Sequence, residues 1–189
     1  MKRLCVSACL LGVPCRWKGD AKPCEAVQRL AERAAVRALD PATRRALGES
    51  HAESAENAEM ELVHFCPELA AGLGCPRPPI ELVQSEGFKP STASTSSTFQ
   101  PRGSALPIRV LRVDRTGDAT DALRAACEAE AEALARAGGV DGFVLKSRSP
   151  SCGLASPLHD MQGRETGAAP GLWAALARER FPDATFREV

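Results

Sequence analysis

Three short, mostly apolar runs, Leu4–Ala8, Glu61–Phe65 and Val140–Lys146, each lead straight into a loop that carries a cysteine: Cys9, Cys66 and Cys152. Apolar runs of this length, bounded by turn residues, read as buried strands. Ile80–Val83, Ile108–Val113 and Thr185–Val189 read as further strands. Between them lie stretches of helical period. Glu25–Leu39 spaces Val27, Leu30, Ala31, Ala34, Ala35, Ala38 and Leu39 along one face, and Pro41 restarts a short helix to Leu47. Asp118 and Asp121 form a capping-box-like start for a helix that runs to about Ala137 and stops at Gly138-Gly139. Pro170–Arg180 reads as the last helix. Strands alternating with amphipathic helices predict an α/β fold: a single compact domain over residues 1–189, its sheet mostly parallel, with helices on both faces. Ligands in such sheets bind beyond the carboxyl ends of the strands. If the three cysteine-bearing strands are parallel neighbours, their thiols meet at one edge. Residues 48–59 are polar and expected to be exposed. Residues 85–107, rich in Ser, Thr and Pro, read as a mobile loop or lid.

Charge narrows the function. Twenty-four basic residues balance 24 acidic ones, which argues against a strongly electrostatic binder of nucleic acid or membrane. Eight cysteines in an Ala-, Leu- and Val-rich chain of 189 residues point to metal or catalysis rather than to disulfide staples. The start of the chain, basic residues followed by "CVSAC", has the look of a lipoprotein signal. It lacks the run of roughly 7–15 apolar residues that export requires, and no stretch approaches the ~18 apolar residues of a membrane span. A cytoplasmic protein with reduced thiols and no membrane association is expected, which leaves Cys9 for chemistry.

Soft thiolates select zinc, copper(I) or iron–sulfur clusters. The chain has no C-x-x-C, so paired structural zinc ligation fits poorly, and single cysteines from distant loops suit a cluster better. Clusters normally take four cysteines; three leave one iron open as a Lewis acid. Zinc, redox thiols and plain buried cysteine stay open at this point. Glu68 reads either as a general acid/base or as a carboxylate at a helix start. Lys146 and Arg148 read either as cations that lower a thiolate pKa or as solvated loop charge.

Four segments, "VSACLLGVPCRWKGD", "CPELAAGLGCPRPP", "GDATD" and "LKSRSPSCG", occur in an order that resembles the thiouracil desulfidase family, long listed as a domain of unknown function. The resemblance runs from Val6 to about Gly171. It implies an α/β enzyme with an oxygen-sensitive [4Fe-4S] cluster on three cysteines, which by motif match are Cys9, Cys66 and Cys152. It implies a thiolated pyrimidine as substrate: thiouracil, thiouridine or a thiolated tRNA. The expected chemistry is non-redox C–S hydrolysis, with the open iron polarising the thiocarbonyl and water or Glu68 attacking the carbon. Ser147 is expected to hydrogen-bond the ring or relay a proton, and Arg16, Arg77, Lys146 and Ser149 to contact substrate. Cys75 departs from the family, which usually has threonine there. It is either a bystander or a fourth thiolate that closes the open iron. The second case would make this a zinc- or cluster-stabilised binding protein without turnover. Cys5 and Cys127 read as core, Cys15 and Cys24 as thiols no motif demands, and His159 as a replacement for a tyrosine at the pocket edge.

Overall fold

β1 (Lys2–Ser7) is the middle strand of a five-stranded sheet in which every pairing is parallel. A computed structural model of the chain describes residues 1–47, 60–84 and 107–189. The sheet order is β2 (Ala34–Arg37), β3 (Met60–Phe65), β1, β6 (Gly142–Leu145) and β9 (Thr185–Glu188). Leu4 pairs with Leu62 on one side and with Gly142 on the other. Side-chain alternation then divides the interior. Cys5, Val63, Phe65 and Phe143 face α4 (Thr120–Arg136) and α5 (Leu172–Arg180), while Val6 and Leu62 face Val27 of α1 (Glu25–Ala31). Both faces are covered, which is why these strands read as unbroken apolar runs. Trp173 of α5 stands edge-on to Phe65 and Phe143, with ring centroids 5.0 and 5.8 Å away. Each such aromatic contact adds roughly 0.5–1.5 kcal/mol to its burial, so this trio fastens α5 to the sheet.

A second sheet has the order β5 (Ile108–Arg112), β4 (Ile80–Gln84), β7 (Ser156–His159) and β8 (Glu165–Ala169). β4 pairs antiparallel with β5 and parallel with β7, and β7 pairs antiparallel with β8. Leu82, Ile108, Val110 and Leu158 enter the same core as α4 and α5. Two short helices complete the described residues, α2 (Pro41–Leu47) and α3 (Pro67–Ala70). No described helix is long and apolar enough to cross a membrane.

Three expectations need correction. The helix expected over 25–39 stops at Ala31, and Ala34–Arg37 instead extends the sheet in register with Met60–Val63. Alanines at 34 and 35 suit either period, and pairing with β3 satisfies the main chain there. The first strand ends at Ser7, and Ala8–Leu11 turns as a 3-10 helix closed by Gly12 at φ 102°. The β7–β8 hairpin had no strand signal, because Pro157 sits inside β7 and proline argues against a strand. The Oδ1 of Asp118 does meet the start of α4, accepting the Thr120 N–H at 2.8 Å and its hydroxyl at 2.5 Å. Residues 48–59, and the loop expected over 85–107 apart from Pro107, lie outside the described residues.

Candidate active site

Because β3, β1 and β6 are adjacent and parallel, the loops after their carboxyl ends open onto one cavity of about 220 Å³. Cys9, Cys66 and Cys152 all line it, and all are buried. The convergence expected from strand order is therefore present. A fourth thiol, Cys15, lines the same cavity and hydrogen-bonds to both Cys9 and Cys66. The turn after the 3-10 helix brings it there: Gly12 takes a left-handed conformation and the Val13 N–H returns to the Ala8 carbonyl at 3.3 Å. The hydrogen bond from Cys15 holds the Cys9 thiol below its ordinary pKa, and Lys146 and Arg16 act in the same direction against burial. Cys15 itself is pushed up by its bonds to Cys66 and Cys9 and by burial. Burial also pushes Cys152 up, opposed by a hydrogen bond to Ser7.

The Cys152 loop is held from two sides. The Ser149 hydroxyl oxygen accepts the N–H groups of Ser151 at 3.3 Å and Cys152 at 3.1 Å. The first N–H groups of α5 donate to the loop, Leu172 to Pro150 at 3.2 Å and Trp173 to Ser151 at 2.8 Å. This contact needs glycine at 171, where a Cβ would lie 2.5 Å from the Ser151 carbonyl carbon and oxygen. Cys66 sits at the start of α3, and its N–H donates to the Thr43 hydroxyl of α2 at 3.3 Å.

Glu68, on α3, also lines the cavity, with both carboxylate oxygens engaged. Oε1 accepts the Ser151 hydroxyl at 2.8 Å; Oε2 accepts Nε of Arg77 at 2.8 Å and also its Nη2. The Nη1 of Arg77 donates to the carbonyls of Cys15 at 3.0 Å and Gly74 at 2.9 Å. Among the described residues, no three His, Cys, Asp or Glu side chains are gathered to hold a metal ion. Mononuclear zinc draws its sulfur ligands in to about 2.3 Å. An iron–sulfur cluster is larger and takes thiolates from separate loops, and three buried thiols from three loops around one cavity fit that chemistry.

Residues 4–188 match the 2-thiouracil desulfurase family. The chain belongs to that family, and is an enzyme of its type. A solved structure of a [4Fe-4S]-dependent thiouracil desulfidase, TudS, matches 100% of this chain and 91% of its own, with a TM-score of 0.59 at 23% identity. At that identity the likeness is one of fold. Comparison with proteins of curated function gives no match.

Of the other residues singled out from this desulfurase's sequence, Arg16, Arg77, Lys146, Ser147, Arg148 and Ser149 line the cavity, but in different ways. Arg16 pairs with Asp20 at 2.7 Å. The Lys146 ammonium donates to the Ser147 carbonyl, and burial together with Lys22 and Arg16 lowers its pKa. The Ser147 hydroxyl lies 3.5 Å from that ammonium. Arg77 is spent on Glu68 and two carbonyls, and Ser149 on organising its own loop. Cys75 does not line the cavity; its thiol donates to the carbonyls of Pro14 at 3.0 Å and Arg16 at 3.3 Å. His159 lies beside Glu81, at 3.3 Å, away from the cavity. Cys5 and Cys127 are core, as expected. The sequence reading left Cys15 without a role and passed over Ser7, Ser151 and Trp17. Ser151 had one signal available, its place next to Cys152 in the loop.

Proposed function

We propose that this desulfurase removes sulfur from a thiolated uracil, as free base, nucleoside or part of a tRNA, by non-redox hydrolysis in the cytoplasm. The chain acts as one domain over residues 1–189, and Cys9, Cys66 and Cys152 hold a [4Fe-4S] cluster. One observation carries the reading: three buried thiols past the ends of adjacent parallel strands share a cavity with a carboxylate clamped on both oxygens. When bound, the cluster supplies an iron with no protein ligand, a Lewis acid for the thiocarbonyl sulfur.

The chain's own residues supply the rest. In the net reaction a C=S bond and water give C=O and hydrogen sulfide, with no change in electron count. Glu68 attacks the thiocarbonyl carbon or takes the proton of the attacking water. Arg77 and Ser151 position it. Buried charge-assisted bonds of this kind contribute about 1.5–3 kcal/mol each, so Glu68 enters the reaction with its orientation already fixed. Lys146 and Arg16 stabilise the Cys9 thiolate and face the substrate's polar edge. Ser147 hydrogen-bonds the ring or relays a proton. Arg77 and Ser149, expected from the sequence to contact substrate, act here as positioning residues. The binding-protein alternative leaned on Cys75 as a fourth ligand, and that thiol is bonded elsewhere.

Iron and acid-labile sulfide in anaerobically purified protein test the reading. About four of each are expected in the wild type, with loss in Cys152→Ala. Glu68→Gln is expected to keep the cluster and lose about 10²–10⁴-fold in thiouracil turnover. Undiminished turnover in Glu68→Gln would remove Glu68 from the reaction. Zinc without sulfide in the wild type would overturn the desulfidase reading.

A further inference from the structure

This inference rests on the desulfidase reading and concerns the substrate's ring rather than its sulfur. Two aromatic residues line the cavity, Trp17 and Phe65. Phe65 is 1% exposed and packed on Trp173, so its face is taken. Trp17 is 41% exposed. Of the large hydrophobic side chains exposed among the described residues, Met1, Trp17, Val113, Met161 and Val189, it alone lines this cavity. An indole left in water at a cavity mouth forgoes burial that a ligand can restore.

The exposure does not come from a slack loop. The Arg77 N–H donates to the Trp17 carbonyl at 2.9 Å, the Gly19 N–H to Arg16 at 2.8 Å, and the Arg16 N–H to Asp20 at 3.1 Å. The Arg16–Asp20 ion pair and the Cys75 thiol tie the same turn to its surroundings. The Lys18 ammonium lies over one face of the indole ring, 4.9 Å from its centroid, a cation–π contact that restrains the ring and leaves the opposite face for a ligand. Arg77 thus braces both Glu68 and the backbone that carries Trp17.

We propose that Trp17 is the stacking wall for the substrate's pyrimidine ring. Every pyrimidine presents a flat π-face that an aromatic side chain can stack on. A ring held against Trp17 is fixed in plane, which leaves its edge to be presented to the thiols and to Glu68.

The test uses anaerobically purified holoenzyme, with uracil as the non-reacting probe. The chain has two tryptophans and no tyrosine, and Trp173 is buried in the core. A change in indole emission on uracil binding is expected in the wild type and absent in Trp17→Phe. Trp17→Ala is expected to raise the KM for 2-thiouracil and the uracil Kd about 10-fold, with kcat within about 3-fold and cluster content unchanged. Trp17→Phe is expected to recover most of the loss. KM and Kd within about 2-fold of wild type in Trp17→Ala would overturn the stacking wall while the desulfidase reading stood. A cluster-loaded wild type that neither binds uracil nor acts on thiouracil would overturn both.

Discussion

Gly171→Ala separates the geometry of the site from its chemistry. Gly171 has φ −62° and ψ 160°, a conformation any residue adopts, so the substitution brings no backbone strain. Its effect is steric. The new Cβ would stand 2.5 Å from the carbonyl carbon and oxygen of Ser151 and 2.8 Å from the Pro150 oxygen. Ordinary contact begins near 3.4 Å, so loop and helix must part by at least about 0.9 Å. Overpacking of this kind costs about 1–3 kcal/mol. Parting also stretches three hydrogen bonds, from Gly171, Leu172 and Trp173 to Gly153, Pro150 and Ser151, each worth about 1 kcal/mol. The alanine returns about 0.4–1 kcal/mol through the unfolded chain. With those bonds weakened by about half rather than broken, the net loss is about 2–4 kcal/mol, which leaves a folded protein, since domains have about 5–15 kcal/mol to lose. Cys152 follows Ser151, and a shift near 1 Å is enough to spoil a ligand set. Urea unfolding and iron per chain are the assays. Expected are a lower midpoint with unchanged slope and a substoichiometric cluster. Full iron content with stability within about 0.5 kcal/mol of wild type would show that α5 does not set the Cys152 loop.

Cys75→Ser is expected to keep both cluster and turnover, since a hydroxyl donates to the Pro14 and Arg16 carbonyls as the thiol does; loss of iron in this variant would restore Cys75 as a ligand. Glu130 of α4 makes stability depend on pH. Burial, with Asp40 adding, pushes its carboxyl from 4.5 up to about 8. Among the described residues its Oε1 has no hydrogen-bond partner, and it bears on the thiols of Cys5 and Cys127. Between about pH 4.5 and 8 the folded form keeps a proton that the unfolded chain has lost, so stability falls as pH rises through that window. Glu130→Gln is expected to match the wild type near pH 4 and to exceed it by roughly 4 kcal/mol near pH 8, read from urea midpoints. Parallel stability curves for the two proteins would refute this.

What could be read in advance followed from burial. β1, β3 and β6 are covered on both faces, so their apolar runs stood out and ended within a few residues of where the strands end. The meeting of Cys9, Cys66 and Cys152 then needed only their parallel adjacency. The rest depended on tertiary contacts. Ala34 and Ala35 fit a helix as well as a strand until β3 lies beside them. Cys15 reaches the cavity only because Gly12 turns left-handed. Ser147, Ser149 and Ser151 crowd one loop, and spacing cannot say which of them meets Glu68. That is decided by α5 pressing on the Ser151 carbonyl, across a gap that only glycine leaves open.

The same contacts sort eight chemically identical thiols. Cys5 and Cys127 lie inside the core, where burial and the Glu130 carboxyl both push a thiol up, so they behave as small apolar side chains. Cys9 lies four residues beyond Cys5 on the same strand and turn, yet a hydrogen bond from Cys15, together with Lys146 and Arg16, lowers it. The difference arises at the end of the strand. At Cys5, β1 is walled by other strands and helices, and burial, the Glu130 carboxyl and the neighbouring thiols all raise the thiol. Past the last paired residue, loops from β6 and from the turn after β1 bring Lys146 and Arg16 alongside. Of the thiols at the carboxyl edge, Cys9 is the one that this charge helps to lower, while burial holds Cys152 up.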